Sequence, residues 1–135
     1  MKVAIALIFL LASAVAFADG AAAPAIAQTQ AQDNFATRRL SSDELAGLLG
    51  QPNLYLIDVR TAEEFKAGAI PSAVNIPYDV IEKQLPTQER SARIVVYCRS
   101  GNRSSIAKSK LEALGFTNVS NFGPVSNWKG KLIVR

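Results

Sequence analysis

The chain has 135 residues, 15 lysines and arginines against 11 aspartates and glutamates, one cysteine and no histidine. A single cysteine excludes an intramolecular disulfide, and the lack of histidine excludes Cys–His and Ser–His catalysis together with almost every zinc arrangement. The net charge of +4 is mild and the basic residues are scattered, so no nucleic-acid partner is expected.

The first residues read as a secretory signal peptide. Lys2 is a one-charge n-region, residues 3–15 are an apolar h-region, and Ala16-Phe17-Ala18 is a small-x-small cleavage site before Asp19. Cleavage after Ala18, removing residues 1–18, would place the mature chain in a periplasmic or extracellular space with no membrane attachment. The uncharged run is shorter than the roughly 20 residues a spanning helix needs, and an uncleaved N-terminal anchor is the alternative. Asp19 rather than a cysteine stands directly after the cleavage site, which argues against a lipoprotein. The remainder is long enough for one domain with a real core and too short for two. Residues 19–34 are small and polar, a composition that cannot bury enough surface to order itself, and read as a flexible tail. Residues 35–135 then form the domain.

Within that domain strand and helix signals alternate. Residues 35–40 read as a short first strand. Ser41-Ser42-Asp43-Glu44 is a capping box opening a helix to about Leu49. Residues 54–59 are the clearest strand, and Thr61-Ala62-Glu63-Glu64 is a second capping box whose helix stops near Gly68. A strand over 74–76 lies between Pro71 and Pro77, followed by a short helix over 78–84 and a polar loop over 86–92. Residues 94–97 are a continuous apolar run suited to a strand buried on both faces. Residues 104–114 carry helical periodicity through Ile106, Leu111 and Leu114. A last short strand over 119–121 and a turn over 125–130 complete the chain. This alternation predicts an α/β fold, a parallel sheet of about five short strands with helices on both faces. Ligands bind such sheets beyond the carboxyl ends of the strands.

Cys98 lies at one of those ends. The turn from Cys98 to Arg103 is short and leads into a helix N-terminus, so backbone N–H groups and the helix dipole converge where an anion would sit. Cys98 supplies a thiolate, and Arg99 and Arg103 supply two guanidinium forks for an oxyanion. The plain alternatives are a cysteine acting as a small buried hydrophobe and two arginines on a solvated surface. Reactive cysteines, however, occupy electropositive turns of this kind. Gly101 is expected to let an amide face the sulfur without a side chain in the way. Arg103, closing the loop at the first helical turn, is expected to fold back over the cradle, and Arg99 to point partly to solvent.

With these residues in view, the region from Leu40 to Trp128 resembles the single-domain rhodaneses, the thiosulfate sulfurtransferases. Leu56-Ile57-Asp58-Val59-Arg60, followed by Glu63-Glu64-Phe65 and by Gly68-Ala69-Ile70-Pro71-Ser72-Ala73-Val74-Asn75-Ile76-Pro77, is similar to the family's first signature. Tyr97-Cys98-Arg99-Ser100-Gly101-Asn102-Arg103-Ser104 resembles its active-site loop, and Gly115-Phe116-Thr117-Asn118-Val119, leading to Gly123 and Trp128, is a weaker third match. Two positions depart from the pattern. Ala69 stands where the family often has histidine, and Pro124 replaces the second glycine of a common pair, which bears on the backbone at the active-site rim.

The resemblance implies a ping-pong sulfur transfer. Cys98 would take the outer sulfur of thiosulfate, or a similar anionic donor, as a persulfide and pass it to cyanide or a thiol. Arg99, Ser100, Gly101, Asn102, Arg103 and Ser104 would bind the substrate, with no metal and no cofactor. Asp58 and Arg60 are expected to pair and hold loops rather than to react, and Glu63 and Glu64 to form a solvated helix face. A non-catalytic persulfide carrier or redox sensor is the alternative. A cysteine phosphatase or arsenate reductase fits less well: phosphatases resembling this fold carry a longer Cys-to-Arg loop and usually a histidine before the cysteine, where Tyr97 stands here.

Overall fold

The computed structural model describes residues 35–135; the expected signal peptide and tail, residues 1–34, lie outside the described residues. Its frame is set by four strands, β1 (Leu54–Asp58), β2 (Val74–Asn75), β3 (Arg93–Cys98) and β4 (Val119–Pro124), all parallel and ordered β2-β1-β3-β4. Along β3, alternate side chains enter two cores, as the two-residue strand period requires. Ile94, Val96 and Cys98 pack with Ile57, Val59, Ala107 and Leu111 on one face. Val95 and Tyr97 pack with Leu45, Leu56 and Phe122 on the other. Ile94, Val95 and Val96 are fully buried, each worth about 1.5–3 kcal/mol of transfer free energy.

The helices divide between those faces. Helix α1 (Ser42–Leu48) and helix α2 (Ala62–Ala67) each begin with a complete capping box, Ser41 with Glu44 and Thr61 with Glu64. Leu45 of α1 and Phe65 of α2 cover the Tyr97 face. Helix α3 (Asn102–Ala113) covers the Cys98 face through Ala107 and Leu111. Adjacent strands β1 and β3 are therefore followed by helices that leave to opposite faces. That divergence opens a crevice at the carboxyl ends of the strands, the usual ligand position in an open parallel sheet.

Several expected elements differ in the structure. The sheet has four strands among the described residues rather than about five, because residues 35–40 form turns instead of a strand. Their carbonyls are taken by side chains: Lys108 donates to Ala36 at 3.1 Å and Ser120 to Arg38 at 3.2 Å. Residues 78–84 are successive turns closed by isolated bonds such as Val80 N–H to Pro77 and Lys83 N–H to Val80, not a helix. Helix α3 starts at Asn102, two residues before the expected start, and its buried face is Ser104, Ala107 and Leu111. Ile106 and Leu114, expected on that face, are 39% and 40% exposed; small residues at 104 and 107 let the helix lie close to the sheet. Strand β4 runs to Pro124, and the final turn is a single 3-10 turn over Val125–Asn127.

Candidate active site

Strand β3 ends at Cys98, and the chain turns into α3 through Arg99, Ser100 and Gly101. Gly101 has a φ of +95°, the left-handed region that glycine adopts without penalty. A Cβ there would meet Pro124 Cδ at 3.5 Å, an ordinary contact. Backbone conformation, not the steric access expected from the sequence, thus accounts for this glycine. The same contact places Pro124 against the loop, where the family pattern has its second glycine.

Gly101 N–H donates to Cys98 Sγ at 2.9 Å, and Ser104 Oγ lies 3.4 Å from the sulfur. The next peptide unit, Gly101–Asn102, is anchored as well. Its carbonyl accepts from Ser105 N–H at 3.2 Å, Ser105 Oγ at 2.9 Å and Ser104 Oγ at 3.0 Å. Ser104 has one hydroxyl proton and two acceptors in reach, the carbonyl and the sulfur, so a thiolate can draw that proton toward itself by a charge-assisted bond. Burial is the largest influence on Cys98 and pushes its thiol up. The Ser104 hydroxyl and the amides of Ser104, Gly101 and Ser100 together outweigh it, leaving the thiol below its ordinary value.

Of the residues assigned to the loop, Ser100 and Asn102 are exposed at the mouth, while Ser104 is buried beneath it. Arg99 is exposed and forms no ion pair among the described residues. Arg103, at the first turn of α3, is engaged by a partner from another element. It is held by Glu64 in a two-pronged pair, Nη1 to Oε2 at 2.8 Å and Nη2 to Oε1 at 2.9 Å. Glu64 correspondingly leaves the solvated face assigned to it: it caps α2 and ties the start of α2 to the start of α3 across the crevice. The hydrogen bond from Arg103 holds its carboxyl at about 2, against the opposing effect of burial and with help from Thr61. No local sequence signal identifies this partner, which lies in another motif. The capping box marks Glu64 only as a cap.

Asp58 and Arg60 behave as the scaffold expected. The Arg60 guanidinium meets Asp58 at 2.6–3.0 Å and donates to the Gly68 carbonyl at 2.7 Å, all of it buried. Asn75 then clamps the carbonyls of Asp58 and Arg60, each at 3.0 Å. Beside this scaffold a cavity of about 290 Å³ opens between Arg60, Thr61, Tyr78, Val80 and Arg103, at the same end of the sheet as Cys98. A second cavity of about 430 Å³ lies at the other end, against Asn53, Arg93 and Asn118, away from the nucleophile. Among the described residues no group of three or more histidine, cysteine or acidic side chains could hold a metal ion.

Comparison with known proteins agrees with this geometry. A family model described as "Rhodanese-like domain" matches residues 41–131. A mitochondrial protein of Schizosaccharomyces pombe, provisionally named a thiosulfate sulfurtransferase, is 38% identical over 97 residues, covering 62% of this chain and 68% of the relative. A rhodanese-like domain protein from Staphylococcus aureus superposes with a TM-score of 0.62 at 32% identity, covering 73% of this chain and 99% of that one. A human single-domain sulfurtransferase superposes at 0.60 with 30% identity, covering 67% and 93%.

Proposed function

The chain belongs to the rhodanese-like family, and on that premise we propose that it transfers the sulfane sulfur of thiosulfate, through a Cys98 persulfide, to a thiophilic acceptor such as cyanide or a thiol. Relatives named as sulfurtransferases support sulfur transfer as the reaction class. The observation that carries the reading is the sulfur of Cys98 at the end of a buried strand, facing the Gly101 amide at 2.9 Å at a helix start.

In the first half-reaction the Cys98 thiolate attacks the outer sulfur of thiosulfate. A new S–S bond forms while the old one breaks, and its electron pair leaves with sulfite, so the charge of −3 is the same on both sides. In the second, cyanide carbon or a thiolate attacks the outer sulfur of the persulfide, and the pair returns to Cys98. Thiol activation supplies little of the rate. Each unit by which the pKa falls raises the thiolate fraction up to about tenfold and lowers intrinsic nucleophilicity about threefold. The larger contribution comes from donors placed around the developing charge, each worth ~10²-fold when well aimed. The loop amides and the Ser104 hydroxyl are those donors.

The test is thiocyanate formation from thiosulfate and cyanide, paired with intact mass. Wild-type protein should turn over and, with thiosulfate alone, gain the mass of one sulfur atom that cyanide removes. Cys98→Ser should do neither while keeping its fold. Appreciable turnover by the serine variant refutes the assignment.

A further inference from the structure

With Arg103 paired to Glu64, its charge at the mouth is partly offset, and other cations add to the positive potential that an anionic donor meets. Arg99 is one source. The other lies on residues 35–40, which precede the family match at residue 41. Gly123 sits at φ +88° at the end of β4, and a Cβ on it would meet the Arg39 guanidinium at 3.3 Å. Gly123 Cα in turn lies 3.6 Å from where a Cβ on Gly101 would stand. One glycine thus lies between the Arg39 guanidinium and the cysteine loop.

Hydrogen bonds tie the same parts together. Gly123 N–H donates to Asn121 Oδ1 at 2.9 Å and Asn121 Nδ2 to Ser105 Oγ at 2.8 Å, the hydroxyl that holds the Gly101 carbonyl. Arg39 is fastened in place by its neighbours, with Phe35 and Leu40 buried and the Arg38 carbonyl bonded to Ser120. The nearby cations are already committed. Arg38 pairs with Glu44 at 2.7 Å, and Lys108 pairs with Glu112 and donates to two carbonyls. Arg39 is exposed and forms no ion pair among the described residues.

We propose that Arg39 is a specificity-determining residue of the Cys98 site, its unpaired guanidinium on Gly123 favouring anionic over neutral reagents at the sulfur. The proposal deepens the sulfur-transfer reading and, for thiosulfate, rests on it. A unit charge on the order of 10 Å away in largely aqueous surroundings changes the encounter of a monoanion by roughly twofold to fourfold, and that of a dianion by about the square of that factor.

The experiment compares alkylation of Cys98 by iodoacetate and by iodoacetamide, both of which form the S–C bond and expel iodide. Their rate ratio cancels effects common to both, such as loop opening and thiolate fraction, and reports the local field. Arg39→Gln should lower the iodoacetate-to-iodoacetamide ratio roughly twofold to fourfold at low salt, and Arg39→Lys should largely preserve it. The difference should shrink near 1 M salt, where the screening length is about 3 Å. Arg93→Gln removes an equal charge at the opposite end of β3 and should leave the ratio unchanged. An unchanged ratio in Arg39→Gln, or an equal fall in Arg93→Gln, overturns the proposal. The alkylation assay does not depend on turnover. If wild-type protein failed to use thiosulfate while the ratio still responded to Arg39, the donor assignment would fall and this inference would stand.

Discussion

Replacing Glu64 with glutamine isolates the ion pair that joins α2 to α3. Glutamine can keep the capping box, because its amide oxygen still accepts the Thr61 N–H now bonded at 3.0 Å. What is lost is the charge facing Arg103. The carboxyl lies at about 2 instead of 4.5, a difference equivalent to ~3 kcal/mol at 1.36 kcal/mol per unit. Part of that belongs to the retained Thr61 bond, and the two side chains are 25% and 27% exposed, so solvent screens the pair. The expected loss of stability is about 1–1.5 kcal/mol at pH 7. A carboxyl lowered in the folded state contributes fully above its unfolded value of 4.5, and its contribution is lost as pH falls toward about 2. Urea unfolding of both proteins should therefore show a gap at pH 7 that falls by more than half at pH 3. An equal gap at both pH values, or none at pH 7, refutes the reasoning. The same substitution frees the Arg103 charge, which interacts with Cys98, so KM for thiosulfate should fall roughly twofold to fivefold. A rise in KM would mean that the pair orients Arg103 for binding.

Two further outcomes follow from the site and its scaffold. Ser104→Ala removes a donor that lowers the Cys98 thiol, so the midpoint of the pH dependence of iodoacetamide alkylation should rise; an unmoved midpoint would show that the backbone amides suffice. Asp58→Ala leaves the buried Arg60 guanidinium without its carboxylate and should cost about 3–5 kcal/mol in urea unfolding, and a loss under about 1 kcal/mol would contradict the fully paired network.

The parts legible in the sequence are those encoded within a few residues. Both capping boxes, the run that became β3, and the Cys98 turn are local patterns, and each appears where its residues place it. Asp58 and Arg60 are two residues apart, so their pairing was also within reach. Arg103 and Glu64 are not: their meeting depends on two helices diverging from neighbouring strands, which no periodicity records. The buried face of helix α3 escapes apolar periodicity for a related reason. Apolar periodicity selected Ile106 and Leu114, whereas close packing on the sheet selected Ser104 and Ala107. Residues 35–40 have strand-like composition, but strand identity requires a ladder, and their partners here are side chains of α3 and β4.

The turns over 35–40 have a consequence for how the domain can be cut. A parallel sheet has two edges, and an unguarded edge is a template for pairing with another chain. Strand β2 is only two residues long, too short to recruit a partner. Strand β4 is longer, and polar groups along it are occupied by side chains: Lys108 takes the Val119 carbonyl at 2.7 Å and Asn127 the Phe122 carbonyl at 3.2 Å, while the Gly123 N–H is held by Asn121. Lys108 and Ser120 also pin residues 36 and 38 beside this strand, and Phe35 and Leu40 seal the apolar side. A fragment trimmed to the family boundary at residue 41 would keep every residue of the cysteine loop and the side chains of Lys108, Asn121 and Asn127 on β4, but would lose residues 36 and 38 beside the strand and the apolar cover of Phe35 and Leu40. Its β4 edge would be less covered, and its characteristic failure would be self-association, while the molecules that remain monomeric would keep the Cys98 nucleophile and lose the Arg39 charge.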